Sequence, residues 1–92
     1  MLTKIVDMEN VRLENEEQER ALNIDLKRRL PKLDHSRKPE GTEAFKITVR
    51  NGIYFDSFIF EIQYGKGNKE DFRPIGESYT VNSACLPTFL NV

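Results

Sequence analysis

The sequence predicts an α+β fold in which one N-terminal amphipathic helix packs on a small antiparallel sheet. Two β-rich runs flank Asn51-Gly52, and this pair favours the tight turn of a β-hairpin because Asn and Gly tolerate positive φ. Leucines upstream repeat with the helical period. A length of 92 residues suits one domain with one modest core. We therefore expect a single domain over 1–92, with a helical part at about 9–30, a linker at about 31–42 and a β part at about 43–92.

The helical part is preceded by a short strand that we expect at 2–6. Asp7 or Asn10 is the candidate N-cap of the helix. Three leucines spaced four residues apart form its predicted buried stripe: Leu22, Leu26 and Leu30. Pro31 ends the helix. Because residues 22–26 also alternate between apolar and polar, a strand there stays open as an alternative, although the abundance of Ala, Leu, Lys, Arg and Glu favours a helix.

The two arms of the predicted hairpin differ in pattern. In the first arm the apolar residues share one parity: Phe45, Ile47 and Val49. In the second arm the apolar parity changes from odd at Ile53 and Phe55 to even from Phe58 to Tyr64. Because a shift of one residue moves every side chain to the other face, we expect a β-bulge at Asp56-Ser57 that reconciles the two halves. A two-residue turn then pairs Val49 with Tyr54.

The remaining segments give weaker signals. Glycines and polar residues predict a loop at 65–71, and the alternation of Tyr79 and Val81 with polar neighbours predicts a third strand at 78–82. Pro87 breaks the chain again, and 88–92 is expected as an edge strand or a docked tail. The segment 31–42 holds two prolines and a glycine, which is typical of a linker.

Aromatic residues are concentrated on the second hairpin arm, which is apolar on both faces at Phe58-Ile59-Phe60. One interpretation places both faces in the core. The other is that one face is an exposed patch for a protein partner, since aromatics and Arg dominate interface energetics. The candidate partner-binding residues are Arg50, Tyr54, Phe55, Phe58 and Phe60.

Composition excludes several classes of protein. The net charge of −1 gives no overall attraction to nucleic acid or anionic lipid, no apolar run approaches the ~20 residues needed to span a bilayer, and no signal peptide is visible. The single cysteine, Cys85, excludes an intrachain disulfide and indicates a cytoplasmic protein. With His35 and Cys85 as the only His and Cys, we expect neither a zinc site nor another metal, and no cofactor.

A basic segment supplies the alternative function. Six positive side chains are concentrated between the helix end and the linker: Lys27, Arg28, Arg29, Lys32, Arg37 and Lys38. They suit a phosphate backbone, although Arg28 and Arg29 also complement the helix C-terminus. An acidic block at 14–19 is opposite in sign, so two helices of opposite direction suit pairing across a two-fold axis. A solvated helix face explains the same charges.

Catalytic signals are weak. His35 beside Ser36 sits in a predicted linker, Cys85 is distant in sequence, and the Gly65–Lys69 loop lacks phosphate-loop spacing. The sequence therefore predicts a small non-enzymatic interaction protein (a regulator, inhibitor or adaptor) that binds another protein through its aromatic hairpin, with self-association as a homodimer as a variant. A nucleic-acid-binding protein is the alternative.

Overall fold

The chain forms a five-stranded mixed sheet with one α-helix, as seen in a computed structural model that describes residues 2–8, 11–53 and 57–90, the side chains of 87–89 excepted. The α-helix and strands, in chain order, are β1 (Thr3–Asp7), α1 (Glu16–Ile24), β2 (Ala44–Asn51), β3 (Phe58–Lys66), β4 (Arg73–Pro74) and β5 (Tyr79–Asn82), and a 3₁₀ segment (Ser83–Phe89) follows β5. The α+β class predicted from sequence is confirmed.

The sheet is mixed, so the prediction of an antiparallel sheet is wrong for one strand. β1 pairs parallel with β2, from Thr3 beside Ala44 to Asp7 beside Thr48. The helix between these two strands returns the chain to the starting side of the sheet, and this crossover is what allows parallel pairing. β3 pairs antiparallel with β2, and its other edge is shared by β4 and β5.

The helix begins later than predicted. Asn15, not Asp7 or Asn10, is its N-cap, and the Asn15 side chain accepts a hydrogen bond from the backbone N–H of Gln18 at 2.9 Å. After Ile24 the helix continues as a π-helical turn (Asp25–Arg29) and then a 3₁₀ turn (Leu30–Lys32) that includes Pro31. The alternative strand at 22–26 is therefore wrong.

The hairpin connection is longer than predicted. Asn51 pairs with Phe58, so residues 52–57 form the connection and the two-residue turn at Asn51-Gly52 is wrong. Gly52 does not adopt positive φ; its backbone N–H donates to the Ser57 carbonyl at 2.9 Å. Asp56 lies outside the described residues. Because the pairing with β2 runs unbroken from Phe58 to Gly65, β3 itself needs no bulge.

The register of β2 and β3 explains why the connection is longer than two residues. The apolar residues of β2 and β3 face one another directly in three pairs: Phe45 with Tyr64, Ile47 with Ile62, and Val49 with Phe60. Such cross-strand pairs are the unit of sheet stabilisation. The change of parity noticed in the sequence therefore falls in the connection, where Ile53 is 92% exposed.

The core lies between this face of the sheet and the helical segment. Leu22, Leu30, Leu33 and Leu86 pack against the apolar residues of β2 and β3, with Leu26 half-buried. The third predicted strand is confirmed as β5, which adds Val81 to the core. Leu90 forms an isolated antiparallel bridge with Leu33, while Asn91 and Val92 lie outside the described residues. Within the described ranges no helix is both long and apolar enough to cross a bilayer.

Candidate functional site

The part of the predicted aromatic patch that the structure describes is not an exposed surface. Phe58 and Phe60 are 1% and 0% exposed, so their assignment to a partner-binding face is wrong and they belong to the core. The physical reason is the register, which aims both rings at the helical layer. Arg50 is exposed at the end of β2, and Tyr54 and Phe55 lie outside the described residues. A contact surface at the hairpin tip stays a prediction.

The six basic residues are all exposed, and three of them line one of two surface depressions. Lys27 and Arg28 line a shallow groove on the outer side of the helix. Arg37 lines a second surface, a cleft that shares no lining residue with the groove. Arg29, Lys32 and Lys38 line neither surface.

This second surface, which we call the tyrosine cleft, is the candidate functional site. It has a volume of about 690 Å³ and lies between the segment after the 3₁₀ turn and the first residues of β5. Its walls are contributed by Asp34, Ser36, Arg37, Pro39, Tyr64, Glu77, Tyr79, Thr80 and Leu90. Clefts of this size that combine apolar walls with a few polar groups are the usual form of binding sites.

His35 fixes one wall of the tyrosine cleft to the sheet. Its ring packs on Phe45 with centroids 4.6 Å apart, and on the edge of Tyr64 at 5.6 Å. His35 Nδ1 and the Tyr64 hydroxyl are 2.8 Å apart and share a hydrogen bond. Burial, with a smaller contribution from Lys38, lowers the pKa of His35 below its usual value, which favours the neutral ring. The segment predicted as a linker thus forms one wall of the tyrosine cleft and is held against the sheet.

The cleft floor contains two tyrosines. The rings of Tyr64 and Tyr79 have centroids 6.4 Å apart. Burial raises the pKa of both hydroxyls above the ordinary tyrosine value, so both are protonated at neutral pH. The two hydroxyls are hydrogen-bonded to each other, and that of Tyr64 also shares a bond with His35.

Charge at the rim of the cleft is uneven. Asp34 and Glu77 contribute two carboxylates and Arg37 one guanidinium. The backbone N–H of Ser36 donates to Asp34 Oδ1 at 2.9 Å, and this bond lowers the pKa of the Asp34 carboxyl. The rim therefore carries more negative than positive charge at neutral pH.

The cleft also lies at an edge of the sheet. β5 has β3 as its one strand neighbour within the described ranges, and Tyr79 and Thr80 of β5 line the cleft. An edge strand offers backbone groups to an added strand. A bound chain at this edge would have the cleft beside it.

Sequence reasoning missed Tyr64 and Tyr79 and treated His35 as an ordinary surface residue. A signal was present, since a tyrosine among Phe and Ile on a buried strand brings a hydroxyl that needs a partner. That partner, His35, is 29 positions away and cannot be found without the fold.

The tyrosine cleft is not arranged to hold a metal: within the described part of the chain, no group of three or more His, Cys, Asp or Glu residues is placed to bind an ion. Comparisons of the chain with models of protein families, with curated proteins and with solved structures find no match. The function is therefore argued from the cleft alone.

Proposed function

We propose that this protein is a small non-enzymatic interaction module, a regulator, inhibitor or adaptor, that binds an extended segment of another protein at the tyrosine cleft. The observation that carries the proposal is the position of the cleft, which is a partly apolar cavity of about 690 Å³ beside the edge strand β5. Partner segments that add to a sheet edge gain affinity from backbone hydrogen bonds and specificity from side-chain pockets.

The chemistry of the cleft selects a basic side chain of the partner. Asp34 and Glu77 supply negative charge at the rim, and the Tyr79 ring offers an aromatic face to a cation. The aliphatic stem of Lys or Arg suits the apolar wall at Leu90. We propose that Arg37 orients the segment by repelling a second basic residue.

Binding without catalysis accords with the state of the polar groups. His35 and Tyr64 are bonded to each other, and the raised pKa of Tyr64 keeps its hydroxyl protonated, so it is a poor nucleophile at neutral pH. Cys85 is a free, exposed cysteine, which supports a reducing compartment, and we propose a cytoplasmic location.

Selection from a random peptide library displayed on phage tests the proposal. We expect enriched peptides to share one Lys or Arg flanked by β-branched or aromatic residues. The double variant Asp34→Asn, Glu77→Gln removes two charges but keeps the bond between position 34 and the Ser36 N–H. It should weaken binding of an enriched peptide about tenfold, because both carboxylates that attract the basic side chain have lost their charge.

Two controls separate the cleft from other surfaces. Glu43→Gln with Glu70→Gln removes the same charge at exposed positions outside both surfaces and should leave peptide affinity unchanged. Arg50→Glu reports on the hairpin end. If affinity responds to Arg50→Glu and not to the cleft variant, the binding surface is the hairpin and the cleft proposal fails.

Nucleic-acid binding is the second candidate function. It is favoured by the exposure of all six basic residues in 27–38 and by the presence of both Arg37 and an aromatic ring, Tyr79, in the lining of the cleft. A gel-shift series with single-stranded and duplex oligonucleotides tests it. Binding through phosphates should weaken steeply as salt rises, and the absence of a shift at low salt would remove this candidate.

A further inference from the structure

The outer face of the helix carries opposite charge at its two ends. Glu16, Glu17 and Glu19 lie in the first turn of α1, and Lys27, Arg28 and Arg29 lie in the π-helical turn that extends it. The inner face is buried through Gln18, Leu22 and Asp25. The helical rod therefore presents a solvent-facing stripe that runs from acidic to basic.

This stripe, which we call the outer groove, is a shallow surface depression of about 660 Å³. It is separate from the tyrosine cleft, because the two share no lining residue. Near its middle lies Ile24, a large apolar side chain that is 38% exposed. An apolar centre with charges at both ends is the usual composition of a contact surface.

Between the residues that the structure describes, no ion pair uses a charge that lines the outer groove. The ion pairs between described residues are Arg29 with Asp25 and Arg73 with Asp71. Glu16 and Arg28 join neither pair, although both line the groove. Their charges are available to a second molecule of complementary pattern.

We infer that the outer groove is the interface of a symmetric dimer, in which the helices of two copies of this chain pack antiparallel. A two-fold axis brings the acidic end of each helix to the basic end of the other, so every favourable contact occurs twice. Glu16 and Arg28 are twelve residues apart, about 18 Å along a helix. With Glu16 of one copy opposite Arg28 of the other, Arg20 lies opposite Ile24, and its aliphatic stem covers that apolar centre.

The pairing is weak and salt-dependent, because exposed ion pairs contribute little and are screened. The net charge of −1 leaves little long-range repulsion between copies. We expect sedimentation equilibrium to show a monomer–dimer equilibrium at low salt that moves toward monomer when NaCl is raised from about 20 mM to about 500 mM.

Charge exchange is the decisive experiment. Glu16→Lys and Arg28→Glu each place like charges opposite one another twice, and each should raise the dimer dissociation constant about tenfold or more. The double variant carries both exchanges and should recover the dimer. A mixture of the two single variants should form a heterodimer tighter than either homodimer, which a loss of folding cannot produce.

Control variants make the same charge changes on the exposed loop after β3, where Glu70→Lys and Lys69→Glu should leave the dimer unchanged. Circular dichroism verifies that each variant retains the fold. A monomer at every concentration overturns the inference. A dimer whose dissociation constant does not change with the substitutions at Glu16 and Arg28 also overturns it. If Arg50→Glu changes the dissociation constant instead, the contact lies at the end of the sheet.

Discussion

The Tyr64 hydroxyl and His35 Nδ1 are 2.8 Å apart, and this hydrogen bond ties the segment after the helix to the third strand of the sheet. The His35 ring also packs on Phe45, so the segment is held by both a polar and an apolar contact. Without them, one wall of the tyrosine cleft would have no fixed position. The shape of the tyrosine cleft, at which we propose partner binding, depends on this anchoring.

Acidification should destabilise the protein through His35. Its pKa in the folded state is lowered from the usual 6.5, by burial first and Lys38 second, with Asp34 opposing. The folded state therefore binds this proton more weakly than the unfolded chain does, so stability is fullest above about pH 6.5 and falls as pH drops through the folded pKa. Urea unfolding at several pH values should show this loss in the wild type and a smaller one in His35→Gln. Equal losses of stability in the wild type and His35→Gln would show that His35 does not cause the acid destabilisation.

Removing the Tyr64 hydroxyl should cost stability. Tyr64→Phe leaves His35 Nδ1 without its partner in a half-buried position, and we expect a loss of about 1 kcal/mol in the free energy of unfolding. Tyr79→Phe is the control: it removes the hydrogen bond between the two tyrosine hydroxyls and leaves the bond to His35, whereas Tyr64→Phe removes both. Chemical denaturation measures both. A larger loss for Tyr79→Phe would mean that His35 is not the main partner.

The buried hairpin aromatics Phe58 and Phe60 should be required for folding and not for surface recognition. Phe60→Ala empties a fully buried position and should cost about 3–5 kcal/mol. Ile53→Ala, at a position 92% exposed, should change stability by less than about 0.5 kcal/mol. Thermal and urea unfolding measure the loss of stability in each variant. Losses of similar size would contradict the burial of Phe60 and the exposure of Ile53.

Asp25 should reduce stability at neutral pH. Burial raises its pKa above the usual 3.8, against the opposing charge of Arg29, whose Nη1 is 3.4 Å from Asp25 Oδ1. A raised folded pKa favours the folded state below pH 3.8, and this advantage is lost as pH rises.

Asp25→Asn should therefore be neutral or stabilising by up to about 1 kcal/mol at pH 7, because Arg29 is 44% exposed and stays solvated. Asp71→Asn, at an exposed ion pair, is the control and should have little effect. A clear loss of stability in Asp25→Asn at neutral pH would show that the carboxylate is needed in its charged form.

Periodicity predicted which residues are buried better than it predicted how they are connected. The odd positions of β2 and the even positions of β3 do share the core face, as at Val49 and Phe60. Asn51-Gly52 favours a turn through two residues alone, whereas the register depends on apolar pairs along the whole hairpin. The structure adopts the register that these apolar pairs favour. The sequence predicted the position of β1 but not its parallel pairing with β2, because that pairing depends on the path of the chain through α1.

Other features have no sequence signature that could have predicted them. A π-helical turn at Asp25–Arg29 differs from an α-helix in hydrogen bonding and not in composition. The tyrosine cleft joins residues from the segment after the helix, from β3 and from β5, which are brought together only by the fold. His35 is the single histidine of the chain, but its partner Tyr64 is 29 positions away in the sequence.

The most direct test of the central claim is a map of backbone amide chemical shifts during titration with a selected peptide that carries one Lys. The account predicts that the shifts cluster at 34–39, at 77–82 and at Leu90, and that they shrink in the Asp34→Asn, Glu77→Gln variant. Shifts confined to the hairpin end at 50–53, or to the helix at 16–28, would contradict it.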